Sequence, residues 1–158
     1  MTVWLSTSIT FTGNTCSGGH GISVGSISSA VTVSGVTISG NTATNNVNGL
    51  RIKTDATASG STVSNVVYSN KLSGITQFGV LIDQSYSSIL GTPGTEVVIN
   101  GVTFTGTNTI SVNSGARRVE VNCGSTSSCK GTWNFSGLTV TGGSAGAVKN
   151  APVSGGSF

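Results

Sequence analysis

One short pattern recurs along the whole chain: apolar, polar, apolar, polar, and then usually glycine. It reads Ile9-Thr10-Phe11-Thr12-Gly13, Val36-Thr37-Ile38-Ser39-Gly40, Val66-Val67-Tyr68-Ser69-Asn70, Val102-Thr103-Phe104-Thr105-Gly106 and Leu138-Thr139-Val140-Thr141-Gly142, with first residues 27, 30, 36 and 36 positions apart. Alternation of this kind places apolar side chains on one face of a strand and Thr or Ser on the other. A second strand type falls between these. Aligning Gly21, Gly49 and Gly79 sets Gly21-Ile22-Ser23-Val24-Gly25 against Gly49-Leu50-Arg51-Ile52-Lys53 and Gly79-Val80-Leu81-Ile82-Asp83. A unit of this length with two or three short strands cannot bury its apolar face alone, whereas stacked copies can, so the expected architecture is a β-solenoid. A β-sandwich is the alternative, but it has no reason to repeat one strand pattern at this spacing.

Composition agrees. The 158 residues include 24 Gly and 2 Pro with only 7% charged residues, and Ser, Thr, Val, Ile and Asn replace the Leu, Glu, Lys and Ala of helices. This predicts an all-β chain forming a single domain over residues 1–158. The longest apolar runs are far shorter than the ~20 residues that cross a bilayer, and no signal peptide precedes the first strand. The formal net charge of +3 is scattered, with Arg117 and Arg118 the only adjacent basic pair, which argues against a nucleic-acid stripe.

Equivalent positions of stacked coils lie about 4.8 Å apart, so the alignment becomes a contact map. Val24, Ile52 and Ile82 are expected to form an inward ladder. Gly25, Lys53 and Asp83 form one outward column, with Lys53 beside the Asp83 carboxylate, and His20, Asn48 and Phe78 form another, bounding a surface groove. Asn14 and Asn41, each directly after a glycine, are expected to bond along the stack and hold the turns. Of three cysteines, Cys123 and Cys129 are close enough to close a small disulfide loop. Cys16 is left as a buried free thiol or one whose partner is missing. A single His and three cysteines without close pairing do not suggest a metal site, and no cofactor is expected.

Two stretches, Cys16-Ser17-Gly18-Gly19-His20-Gly21-Ile22 and Asn48-Gly49-Leu50-Arg51-Ile52-Lys53-Thr54, resemble the polygalacturonases of glycoside hydrolase family 28 in their Gly-His-Gly and Arg-Ile-Lys motifs. Phe78-Gly79-Val80-Leu81-Ile82-Asp83-Gln84-Ser85-Tyr86 and Trp133-Asn134-Phe135-Ser136-Gly137-Leu138 extend the similarity over essentially the whole chain. The resemblance implies a right-handed parallel β-helix of about five coils corresponding to the C-terminal half of a fungal, secreted enzyme, and so truncated on its N-terminal side. It implies that His20 lies beside the scissile bond as a catalytic residue, that Arg51 and Lys53 bind a galacturonate carboxylate, and that Tyr86 stacks on a sugar ring. Asp83, the one acid expected near the groove, joins them as a substrate-binding residue. Elementary chemistry supports the two cations, since a planar guanidinium and a mobile ammonium on one strand can clamp a uronic acid. Each has an ordinary alternative: Lys53 pairing with Asp83, Arg51 on a solvated face, His20 as a structural residue.

The same resemblance sets a limit on chemistry. Inverting hydrolysis needs one carboxylic acid for the leaving group and a carboxylate for water. The family supplies these from Asn-Thr-Asp and Asp-Asp motifs, and neither occurs in this sequence, whose acids are Asp55, Asp83, Glu96 and Glu120. The family cysteine that bridges to the position of Cys16 is likewise absent. Three expectations follow: part of a polygalacturonase with little or no activity alone, a pectin-binding module without turnover, or a self-associating scaffold. The last stems from an open N-terminal coil around Val3, Trp4, Leu5 and Ile9, expected to pair with a second copy. At the other end Ala147, Val148 and Phe158 stand where the family closes with a disulfide, so the tail is expected to fray. Asn134-Phe135-Ser136 is a glycosylation sequon relevant only to an exported protein.

Overall fold

A computed structural model describes residues 6–158. Its strands are β1 (Ser6–Thr12), β2 (Thr15–Ser17), β3 (Ile22–Ile27), β4 (Thr32–Thr44), β5 (Asn48–Asp55), β6 (Ser61–Ile75), β7 (Phe78–Tyr86), β8 (Val97–Phe104), β9 (Asn108–Asn122), β10 (Cys129–Asn134), β11 (Leu138–Ser144), β12 (Val148–Lys149) and β13 (Val153–Ser154). Every pairing is parallel and joins strands of successive coils, as in β1 with β4, β4 with β6 and β6 with β8. No helix occurs among the described residues. The chain is a right-handed parallel β-helix of about five coils.

The register reproduces the repeat. Ile9 stacks on Val36, Val36 on Val66 and Val66 on Val102, while Ile22, Leu50 and Val80 form the equivalent column on another face. The Val24, Ile52 and Ile82 ladder forms as expected and continues to Val121, with all four buried. Burying each such side chain contributes ~1.5–3 kcal/mol. The fifth copy of the pattern differs: Leu138 stacks on Asn108, and the place above Val102 belongs to Trp133. The reason is a register shift between Lys130 and Trp133, which interrupts alternation in β10 and leaves the sequence pattern to a strand of the neighbouring face.

The corner after the first strand of each coil is held by amides. Asn14 N and Nδ2 donate to Asn41 Oδ1 at 2.9 and 3.0 Å, and Asn41 N and Nδ2 donate to Asn70 Oδ1 at 3.2 and 2.8 Å. Asn70 N donates to Asn108 Oδ1 at 2.8 Å, so the pair expected from sequence is half of a four-residue ladder. A buried corner must satisfy its backbone donors, and one amide per coil does so without water.

The disulfide Cys123–Cys129 is formed and Cys16 is a half-buried free thiol. Val3, Trp4 and Leu5 lie outside the described residues. Among the described residues β1 and β2 pair only with β4, and β3 only with β5. The C-terminal tail is paired, contrary to expectation. β12 lies on β9, β13 on β10, Ser157 bridges Thr139, and Phe158 packs on Phe135 at 6.0 Å between ring centroids. Strand pairing and an aromatic contact take over the closing role without a disulfide.

Candidate functional site

The candidate site lies on the outer face of β3, β5 and β7. In β5, Leu50 and Ile52 point into the core with no exposure, which turns Arg51 and Lys53 outward on alternate positions. Both glycines of β3's surroundings are required by close backbone approach. Gly21 and Gly25 each have φ +114°, and a Cβ on either would overlap the Asn48 carbonyl or the Lys53 carbonyl respectively. The Gly-His-Gly motif therefore sets how closely the His20 turn sits on the coil carrying Arg51.

Arg51 is 9% exposed and donates through Nε to Ser23 Oγ at 3.0 Å. Among the described residues it has no carboxylate partner, so both Nη groups remain available. Burial pulls its pKa down, partly offset by attraction to Tyr86, but a guanidinium remains protonated at neutral pH. Ser23 is a residue that sequence reasoning missed. Its signal was present, because the same glycine alignment places it in register with Arg51.

Lys53 and Asp83 are in register as expected, yet they do not pair. The Lys53 ammonium sits over the Tyr86 ring, 4.4 Å from its centroid. Asp83 is 2% exposed and accepts hydrogen bonds at Oδ1 from Ser85 N (3.0 Å), Ser85 Oγ (2.6 Å) and Asn122 Nδ2 (3.0 Å), and at Oδ2 from Leu90 N (2.8 Å). In this arrangement the carboxylate is engaged in holding the loop after β7 against the sheet. Four local donors match a carboxylate better than one flexible ammonium reaching from the next coil.

His20 is exposed, and its imidazole makes no hydrogen bond among the described residues. Its carbonyl accepts from Asn48 N at 3.3 Å and from Asn48 Nδ2 at 3.1 Å. Asn48 is buried, not outward as the column alignment suggested, because its amide reaches back to that turn. The structure thus brings Arg51, Lys53 and Tyr86 together on β5 and β7, sets His20 on the turn before β3, and engages Asp83 in hydrogen bonds of its own. Of the other acids, Glu120 is buried in an ion pair with Arg117 (3.1 Å), Glu96 is exposed and Asp55 half-buried. No cluster of His, Cys, Asp and Glu among the described residues could hold a metal ion.

This arrangement offers two cations and a polarisable ring on one sheet face, with an imidazole on a neighbouring turn, which suits an anionic sugar. The sequence profile of glycosyl hydrolases family 28 matches residues 3–156. A probable endopolygalacturonase A of Neosartorya fischeri is 47% identical over 140 residues, 85% of this chain and 37% of the relative. Endopolygalacturonase B of Emericella nidulans is 45% identical over 149 residues, 91% of this chain and 40% of its own length. The solved structure of endopolygalacturonase I from Stereum purpureum, complexed with two galacturonates, superposes with a TM-score of 0.95 at 48% identity, covering 99% of this chain and 47% of that one. The chain spans about two fifths of the length of the curated relatives it matches. With a profile match over nearly its whole length and a shared fold, this chain belongs to glycoside hydrolase family 28.

Proposed function

We propose that this chain binds α-1,4-linked galacturonan, the backbone of pectin, through His20, Arg51, Lys53 and Tyr86, and that the isolated chain hydrolyses it little or not at all. The observation that carries the reading is the state of Arg51: anchored through Nε to Ser23, lacking a carboxylate partner, and set one alternate position from a lysine that also lacks one. A guanidinium held this way offers two parallel donors to a ligand carboxylate at little ordering cost. On this reading His20, on the adjoining turn, touches a sugar hydroxyl at the cleavage point. Inverting hydrolysis requires two carboxyl groups ~6.5–9.5 Å apart, and of the four acids in this sequence Asp83 and Glu120 are engaged within the protein. The relatives named as endopolygalacturonases support galacturonan as the ligand class. The Cys123–Cys129 disulfide suits an extracellular setting.

The test is to incubate the chain with polygalacturonic acid and measure bound ligand and released reducing ends in the same samples, with Arg51→Ala/Lys53→Ala as control. Binding without release, lost in the double variant, is the expected result. Release that the double variant abolishes would show that other carboxylates perform the chemistry. Absence of binding would overturn the reading.

A second reading, self-association into a scaffold, is favoured by β1, β2 and β3, each of which pairs on one side only among the described residues. Unpaired parallel strand edges recruit further strands, and a second copy is one source of them. Sedimentation equilibrium would show a homo-oligomer if this edge is used and a monomer at all concentrations if it is not.

A further inference from the structure

The turn that carries His20 is Gly18-Gly19-His20-Gly21, glycine at three positions of four. Such a turn has no side chains of its own to pack, so the direction in which His20 projects must be fixed from outside. It is fixed by the start of β5 and the two residues before it. Asn46 Oδ1 accepts from Gly19 N at 2.8 Å, Val47 N donates to Gly19 O at 2.9 Å, and Asn48 donates to His20 O from N at 3.3 Å and from Nδ2 at 3.1 Å. These bonds hold three successive peptide groups, the two that flank His20 and the one before them. The clamp is anchored in turn by the next coil, where Thr76 N donates to Asn46 O at 3.1 Å and Gln77 N to Val47 O at 2.8 Å.

Asn46 and Asn48 are both buried, and Asn48 differs from the amides of the corner ladder. In that ladder Asn41, Asn70 and Asn108 each accept at Oδ1 from the coil before. Asn48 Oδ1 is buried without a partner. An unpaired buried acceptor costs stability, and a side chain without it avoids that cost. His20 O would then still accept from Asn48 N, so the Asn48 amide adds little to folding that the backbone does not supply. What it adds is a second donor on the His20–Gly21 peptide, from the strand that also carries Arg51. The spacing between imidazole and guanidinium is thereby set through β5.

We infer that Asn46 and Asn48 are positioning residues for His20, fixing the glycine turn so that the imidazole faces a galacturonan held by Arg51 and Lys53. This rests on the proposed galacturonan binding and on the place of His20 in it.

The sequence contains one histidine, so the ring protons of His20 give isolated NMR signals. The test follows these signals as trigalacturonate is added to the wild type, Asn48→Ala, Asn46→Ala and Asn70→Ala, with affinity by calorimetry and melting by circular dichroism on the same proteins. Saturating ligand should move the wild-type signals and move them far less in Asn48→Ala and Asn46→Ala. Affinity in those two should fall about threefold, for one neutral hydrogen bond lost to the ligand. Their melting temperatures should stay within about 4 °C of the wild type. In Asn46→Ala the donor released is Gly19 N, on an exposed residue that water reaches, so this variant folds even where Asn48→Ala does not. Asn70→Ala, which breaks the corner ladder, should melt lower and keep the full His20 response. If the signals of Asn48→Ala and Asn46→Ala move as far as those of the wild type, the inference is overturned and the binding reading stands. An equal loss in Asn70→Ala would also overturn it, marking a general loosening of the coil. If the wild type binds with its His20 signals unmoved, His20 has no place in the site and this inference falls with it, while Arg51 and Lys53 keep theirs; if the wild type binds nothing, both readings fail.

Discussion

Asp83→Ala separates a carboxylate that holds structure from one that holds ligand. The substitution removes four hydrogen bonds. Asn122 Nδ2 keeps Ser85 Oγ and Gly91 O, and Ser85 Oγ keeps Ser88 O, so two donors are orphaned, the backbone N–H groups of Ser85 and Leu90. At ~1–3 kcal/mol for each orphaned donor, the cost is about 2–6 kcal/mol. For a chain of this size that lowers the melting temperature by about 10 °C. Short galacturonan oligomers, held at Arg51 and Lys53, should still bind within about threefold at a temperature where both proteins are folded. Melting followed by circular dichroism and binding by calorimetry read the two quantities separately. A variant that melts with the wild type but loses short-oligomer binding would refute the structural reading and return Asp83 to the site.

Ser23→Ala releases Nε of Arg51 and should weaken oligomer binding about threefold to tenfold by calorimetry, with a cost of about 1–3 kcal/mol in stability for the orphaned buried donor. Asn70→Ala breaks the amide ladder at its centre, leaving the buried Asn41 N–H and the Ile38 carbonyl short of partners, and should cost about 2–5 kcal/mol in urea denaturation. Tyr68 carries a buried hydroxyl with no partner, so Tyr68→Phe should match or exceed the wild type in stability by about 1 kcal/mol. Burial raises the Tyr68 pKa, so its stabilising share is complete below about pH 10 and is lost as pH rises further, when only the unfolded chain ionises; alkaline denaturation of the phenylalanine variant should be correspondingly shallower. Cys123→Ser/Cys129→Ser opens a loop closed over a separation of 6 residues and should cost about 2 kcal/mol by thermal melting.

The parallel β-helix was legible because its period is written in the backbone. One alternating pattern returning every coil dictates both strand direction and register, and the Val24, Ile52 and Ile82 ladder formed as the glycine alignment required. What alignment does not encode is the choice a polar side chain makes among several neighbours. Lys53 and Asp83 stand in register, yet the ammonium goes to Tyr86 and the carboxylate to backbone donors seven or fewer residues away. Asn48 occupies the predicted column but turns inward toward the His20 carbonyl. The role of Trp133 was hidden for another reason, since a bulge has no periodicity to read.

Stacking also explains why the two outward cations share a strand. In a solenoid every outward position lies about 4.8 Å from its counterpart in the next coil, so like charges in one column would repel along the axis. The column of Arg51 runs Ser23, Arg51, Leu81, Glu120, and that of Lys53 continues through Asp83 to Asn122, so neither cation has a like neighbour in its column. Placing both at alternate positions of β5 separates their Cα atoms by about 6.6 Å. That separation keeps the head groups from being forced together in the free protein, yet both side chains are long enough to converge on one carboxylate. A ligand carboxylate relieves the residual repulsion that remains, and for that reason the two should act cooperatively: the losses in binding free energy for Arg51→Ala and for Lys53→Ala should sum to more than the loss for the Arg51→Ala/Lys53→Ala pair.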